Sequence, residues 1–135
     1  MNKQEVLLDT SVLIDFLRQK QKRNTWFYAL AKQGQPLAAS IITHTELFAG
    51  VSVWEKSKAR KELEAIFSGI SLILLNQEVS ILAGKIRAKN KTDLIDAIIA
   101  ATAVSEKITL ATLNPKHFKK ISGLRLVKKV LNYKS

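Results

Sequence analysis

Short aliphatic runs alternate along this chain with longer segments of helical apolar spacing, and that alternation limits it to a parallel α/β fold. Val6 to Asp9, Leu37 to Ile42, Leu72 to Leu75 and Thr109 to Thr112 are short and evenly apolar, as strands buried on both faces are. Helices are expected from Ser11 to about Arg18, from Asn24 to Gln33, from near Thr43, from Glu55 to Phe67, from Gln77 to Lys89 and from Asp93 to Ser105. Leu124 to Val127 reads as a fifth strand at an edge. Strands that alternate with helices predict a three-layer α/β/α fold around a central, mainly parallel sheet of four to five strands. The 135 residues suffice for one buried core, and no linker or repeat divides them, so residues 1–135 read as a single domain.

The chain has no cysteine, which excludes disulfides and thiolate metal sites. Its longest apolar stretch, Leu94 to Val104, is interrupted by Asp96 and is too short to span a bilayer. The run Val6 to Leu8 is too short for a signal-peptide core, so the reading is cytoplasmic and soluble. Charge is more informative. Twenty-two Lys and Arg against eleven Asp and Glu give +11. The bases cluster at Arg18 to Arg23, Lys56 to Lys61 and Lys85 to Lys91, and after Glu106 eight bases follow with no acid. A membrane-surface binder would concentrate such charge on one amphipathic segment, whereas here it is spread along the chain. The balance points to a polyanion, and to a nucleic acid before a membrane.

In open parallel sheets, sites form beyond the carboxyl ends of the strands, where strand order switches. The polar residues there are Asp9-Thr10-Ser11, Thr43 to Glu46 and Thr112 to Asn114. Asp9 ends a buried strand, so its carboxylate needs donors, a cation or a metal. An Asp-x-Asp-x-Thr phosphatase motif is excluded, because Ser11 stands where the second Asp must be. Glu46 reads in two ways: as the partner of Thr43 in a capping box, or as a first-turn acid at the same sheet edge as Asp9. Asp96 lies in a helix that is apolar nearly all round, where an uncompensated carboxylate is costly. Asp93 shares its face, so one of the two can be an N-cap and the other a first-turn acid. Oxygen ligands without cysteine suit Mg²⁺ or Mn²⁺ better than zinc. With Asp9, Glu46, Asp93 and Asp96 in one pocket, the rest of the chain carries 22 bases against seven acids. That distribution suits a metal-dependent phosphodiesterase, with metals activating water and bases holding the flanking phosphates.

Asp9-Thr10-Ser11-Val12-Leu13-Ile14-Asp15 resembles the opening motif of PIN-domain nucleases, in particular the VapC-type toxins of toxin–antitoxin modules. Thr45-Glu46-Leu47 is similar to their second motif, Asp96 to Ala103 to their third, and Thr112 to Phe118 to their fourth, in matching order. The resemblance implies a PIN-like fold and an endoribonuclease dependent on Mg²⁺ or Mn²⁺, leaving 5′-phosphate and 3′-hydroxyl ends. It also implies a small cognate antitoxin as partner, often in a homodimer or larger assembly. Asp9, Glu46 and Asp96 match the acidic catalytic and metal-binding positions, with Asp9 and Asp96 as direct ligands. Thr10, Ser11 and Thr112 match the small polar residues that support them. Asn114 stands where other members have Asn or a fourth acid, and His117 where an acid is frequent. Asp93 offers a carboxylate from the same helix face as Asp96.

His44 and His117 read as surface or supporting residues. Trp26, Phe27 and Tyr28 read as core or interface, and packing is expected of Trp54 and Tyr133 before base stacking. Lys56, Lys58, Arg60 and Lys61 are expected to form a solvated face, part of it touching RNA. The competing readings are a non-catalytic RNA- or partner-binding domain of the same fold, and a nuclease that acts on DNA.

Overall fold

A computed structural model describes residues 4–128. Tyr133, one of the aromatic residues considered for base stacking, lies outside them. Four parallel strands, β1 (Val6–Leu8), β2 (Leu37–Ser40), β3 (Ser71–Ile73) and β4 (Thr109–Ala111), form one sheet in the order β3-β2-β1-β4. The expected fifth strand contributes a single parallel bridge, Leu110 to Leu126. Leu110 N donates to Arg125 O and accepts Val127 N at its own carbonyl (2.9 and 2.8 Å).

Side chains alternate across each strand, and the two faces have separate cores. Val6, Leu8, Leu37, Ala39 and Ala111 point into a cluster with Val12, Leu13, Trp26, Leu30, Leu63 and Phe67. Leu7, Ala38 and Leu110 point the other way, onto Val79, Ala83, Ile86, Ile99, Ala100 and Phe118. The first face is covered by α1 (Thr10–Arg18), α2 (Trp26–Lys32), α4 (Val51–Glu55) and α5 (Ser57–Ser68), and the second by α6 (Gln77–Asn90) and α7 (Leu94–Glu106). Helix α3 (Ile41–Phe48) sends Leu47 to the first core and Ile42 to the second. These are the three layers the alternation predicts. Among the described residues, no helix is long and apolar enough to cross a membrane.

Several helix starts differ from the sequence reading, each for a local reason. Asp9, not Ser11, occupies the N-cap of α1 with extended backbone (φ −68°, ψ 152°). Ser40 caps α3 by accepting Ile42 N at 3.1 Å, so Ile41 and Ile42 open a helix instead of prolonging β2. The expected helix Asn24–Gln33 is a 3₁₀ turn, Lys22–Asn24, followed by α2 with Thr25 as its cap. Lys22 Nζ folds back onto the last carbonyls of α1, Phe16 O at 2.5 Å and Leu17 O at 3.0 Å, a favourable place for a cation. The helical region from Glu55 is broken at Lys56 into α4 and α5.

Helix α7 is buried nearly all round through Ala97, Ile99, Ala100, Ala101, Thr102 and Ala103. Small side chains let it lie close to the sheet and α6, and Thr102 satisfies its hydroxyl on Ile98 O at 2.7 Å. Its N-terminus thereby reaches the carboxyl end of the sheet on the side of β4.

Candidate active site

Strand order reverses between β1 and β4, and the residues that follow these two strands meet there. Asp9 N donates to Ala111 O at 2.9 Å, which carries the β1–β4 ladder up to the carboxylate. Asp9 is only 4% exposed. Its Oδ2 accepts hydrogen bonds from Ser11 Oγ (2.7 Å) and Thr112 Oγ1 (2.8 Å). Both hydroxyls are themselves aimed by the backbone: Leu113 N donates to Ser11 Oγ at 3.1 Å, and Asn114 N to Thr112 Oγ1 at 2.9 Å. Each oxygen spends a lone pair on an amide and turns its single proton to Asp9. Among the described residues, no hydrogen bond reaches Oδ1.

Thr10 links this corner to α3. Its Oγ1 lies 2.6 Å from Glu46 Oε1 and 3.0 Å from Thr43 Oγ1. The hydroxyl has one proton, and the short contact to a carboxylate is the stronger claim on it. Thr43 is fully buried and Ser40 holds the cap, so the capping-box alternative for Glu46 falls. Glu46 sits half-buried inside α3, tied across 36 residues to the start of α1.

The pair Asp93 and Asp96 separates as the sequence allowed. Asp93 is the exposed N-cap of α7 and accepts Ile95 N at 3.2 Å. Asp96 lies in the first turn, its side chain 20% exposed, and its Oδ2 is 3.2 Å from His117 Nδ1. Burial holds the Asp96 carboxyl above the ordinary aspartate range, and the Asp9 charge pushes the same way, with a smaller push from Asp93. His117 works against them by charge and hydrogen bond. Sequence reasoning assigned His117 a supporting place but not this contact. The signal was available in the fourth motif, which returns the chain to the start of α7.

Among the described residues, no three acids and histidines converge into a preformed metal cage. Two carboxylates that repel each other, one with Oδ1 open, instead fit a hard divalent ion that fills its remaining positions with water and substrate phosphates, as Mg²⁺ does. Asp93, taken up by its cap, is a neighbour of that pair and not a third converging ligand. Asn114 is exposed, opens a 3₁₀ turn at Pro115–His117, and contributes its amide to Thr112.

The other singled-out residues lie apart. His44 packs between Phe48 and Phe67, with ring centroids 4.5 and 4.7 Å away. Trp26 is buried and Phe27 packs on Phe16, as expected. Trp54 is 63% exposed, but its Nε1 donates to Phe48 O at 2.7 Å. Lys56, Lys58, Arg60 and Lys61 lie at the junction of α4 and α5, beside an apolar groove of about 410 Å³ lined by Leu17, Glu46, Leu47, Val53, Ala59 and Leu63. A second cleft, about 370 Å³, opens at Asp96 between the ends of α6 and α7 and the turn after β4.

Residues 6–124 match the PIN domain family. Ribonuclease VapC19 of Mycobacterium tuberculosis is 31% identical over 117 residues, covering 83% of this chain and 90% of its own. Ribonuclease VapC1 of Methanocaldococcus jannaschii is 30% identical over 132 residues, 93% of this chain and 88% of its own. Among solved structures, VapBC2 from Rickettsia felis bound to a DNA fragment from its promoter superposes with a TM-score of 0.76 at 27% identity, over 91% of this chain and 97% of that one.

Proposed function

The chain belongs to the PIN-domain family, and from that premise we propose that it is an endoribonuclease, the toxin of a toxin–antitoxin pair, which uses Mg²⁺ or Mn²⁺. It is a nuclease that hydrolyses RNA phosphodiester bonds, and a cognate antitoxin is its partner in a hetero-oligomer. The observation that carries the finer reading is the Asp9 network. Two hydroxyls, each fixed by a backbone amide, hold one carboxylate oxygen at the strand switch beside a second carboxylate of raised pKa.

In this reading Asp9 and Asp96 hold the divalent ion. When bound, the ion activates the attacking water and takes up charge on the scissile phosphate. Ser11 and Thr112 keep Asp9 in one orientation, a positioning task that keeps the carboxylate from reorganising during the reaction. Glu46 is the third acid of the site and acts through Thr10, whose hydroxyl binds it. Asp93 holds the α7 N-terminus in place through Ile95 N and adds negative charge beside Asp96. The apolar groove between α1, α3 and α5 is the docking surface for the antitoxin. It buries apolar area while leaving the cleft at Asp96 open.

The purified chain is incubated with labelled structured RNA and Mg²⁺ or Mn²⁺, and the products are resolved by length. Cleavage is expected with either ion, and none with EDTA, Asp9→Asn or Asp96→Asn. Cleavage that survives EDTA would sink the metal-dependent mechanism. Cleavage of DNA but not RNA under the same conditions would reassign the substrate.

A further inference from the structure

The cleft at Asp96 has a composition that the acidic pair does not explain. Its rim carries three lysines from two distant stretches of chain: Lys91 after α6, and Lys116 and Lys120 in and after the turn that follows β4. Lys91 occupies the left-handed C-cap of α6 (φ 54°), which ends that helix beside the start of α7. Lys116 adjoins His117, the residue paired with Asp96. All three lysines are exposed, and among the described residues none is in an ion pair. Two acids, Asp93 and Asp96, line the same cleft, so the lysines outnumber them. The opening helix turn of α7 also directs its positive end there.

Three exposed cations around an open cleft, with a carboxylate of the proposed metal pair in its wall, form an anion site continuous with the reacting centre. We propose that this cleft binds the RNA backbone next to the scissile bond, with Lys91, Lys116 and Lys120 each taking a phosphate charge. The inference rests on the ribonuclease reading and deepens it by giving the substrate a path. RNA leaves Asp96 between the ends of α6 and α7 and the β4 turn. It does not run over α5, where Lys56, Lys58 and Lys61 lie beside the other groove.

The test is the salt dependence of binding for the full chain, read by anisotropy of a fluorescent single-stranded RNA in EDTA. Each single-strand phosphate neutralised contributes about 0.7 to the slope of log affinity against log salt. The Lys91→Ala/Lys116→Ala/Lys120→Ala variant is expected to lower that slope by about 2 and to weaken binding about tenfold or more at low salt. The Lys56→Ala/Lys58→Ala/Lys61→Ala variant removes the same net charge and should lose less. If the triple variant of the cleft does not fold, judged by its melting curve, the three single variants answer the question at about 0.7 each. An unchanged slope in the cleft variant, or an equal or larger loss in the Lys56 variant, overturns the proposal. Wild-type cleavage of the same RNA with Mg²⁺ is measured in parallel. Retained cleavage with an unchanged slope rejects the cleft alone, whereas absent cleavage strikes the ribonuclease reading separately.

Discussion

Asp96 is held above its ordinary pKa chiefly by burial and then by Asp9, and a raised carboxylate pKa has a definite sign in the stability of the metal-free chain. The folded state binds the proton more tightly than the unfolded chain does. Its stabilising contribution is therefore complete below the unfolded-state pKa and is lost as pH rises through the folded value. At neutral pH the charged Asp96 is a cost. Asp96→Asn imitates the protonated form, so in EDTA at pH 7 it should melt at or above the wild-type temperature while cleaving no RNA. That advantage should shrink as pH falls into the carboxylate range; a marked loss of stability at pH 7 would make Asp96 a structural residue. Thr112 makes the opposite case. Thr112→Val removes a buried hydroxyl that joins Asp9 to the amide of Asn114. It should cost about 1–3 kcal/mol in urea unfolding and reduce cleavage together with metal affinity. Unchanged activity would mean that Ser11 alone suffices to orient Asp9. At this scale much of the candidate site is legible in the sequence. Asp9 and Asp96 stand out because a carboxylate in an apolar run needs an explanation. The alternatives for Glu46 were not separable, since Thr43 and Ser40 are both good caps and only the register of β2 against β3 decides which one ends the strand.

Elements were read well where burial dominates and poorly where a single backbone angle does. β1, β2 and β4 followed from short apolar runs, and α7 from a segment apolar on every side. Ile41 and Ile42 looked like more strand because apolar residues in a first helical turn resemble a strand's end; their reason is that Ile42 packs toward α7. The break between α4 and α5 has no Gly or Pro at Lys56 (φ −123°), so no turn residue announces it. That break matters, because Val53 on α4 and Ala59 on α5 then face one groove with Leu17 and Leu47. A rod continuous from α4 through α5 would not form that wall. If the groove receives the antitoxin, Ala59→Glu adds bulk and a further carboxylate, beside Glu46 and Glu62, to a surface that binding must dehydrate. The variant should fail to co-purify with a co-expressed antitoxin and still cleave RNA. Co-purification at the wild-type ratio would move the antitoxin to another face.

Across the whole molecule, a +11 chain concentrates two repelling carboxylates at one strand switch, and that arrangement is paid for by folding unless a cation is present. His117, 3.2 Å from Asp96, offsets only part of this, because burial and the charges of Asp9 and Asp93 act against it. An ion bound by the folded chain and not by the unfolded one stabilises it by mass action, about 2.7 kcal/mol when free ion stands at about 100 times its Kd. Mg²⁺ and Mn²⁺ should therefore raise the melting temperature by several degrees. Ca²⁺, which tolerates the same oxygen donors with looser geometry, should stabilise with little cleavage. The decisive comparison is with the variants. In Asp9→Asn/Asp96→Asn the metal-free chain is relieved of its charge conflict, so it starts from an equal or higher melting temperature, and added Mg²⁺ should then shift it hardly at all. Non-specific ion binding cannot produce that crossing, because it would move both proteins alike and, on so basic a surface, only weakly. A Mg²⁺ shift of equal size in wild type and double variant would remove the ion from Asp9 and Asp96, whatever the cleavage assay reported.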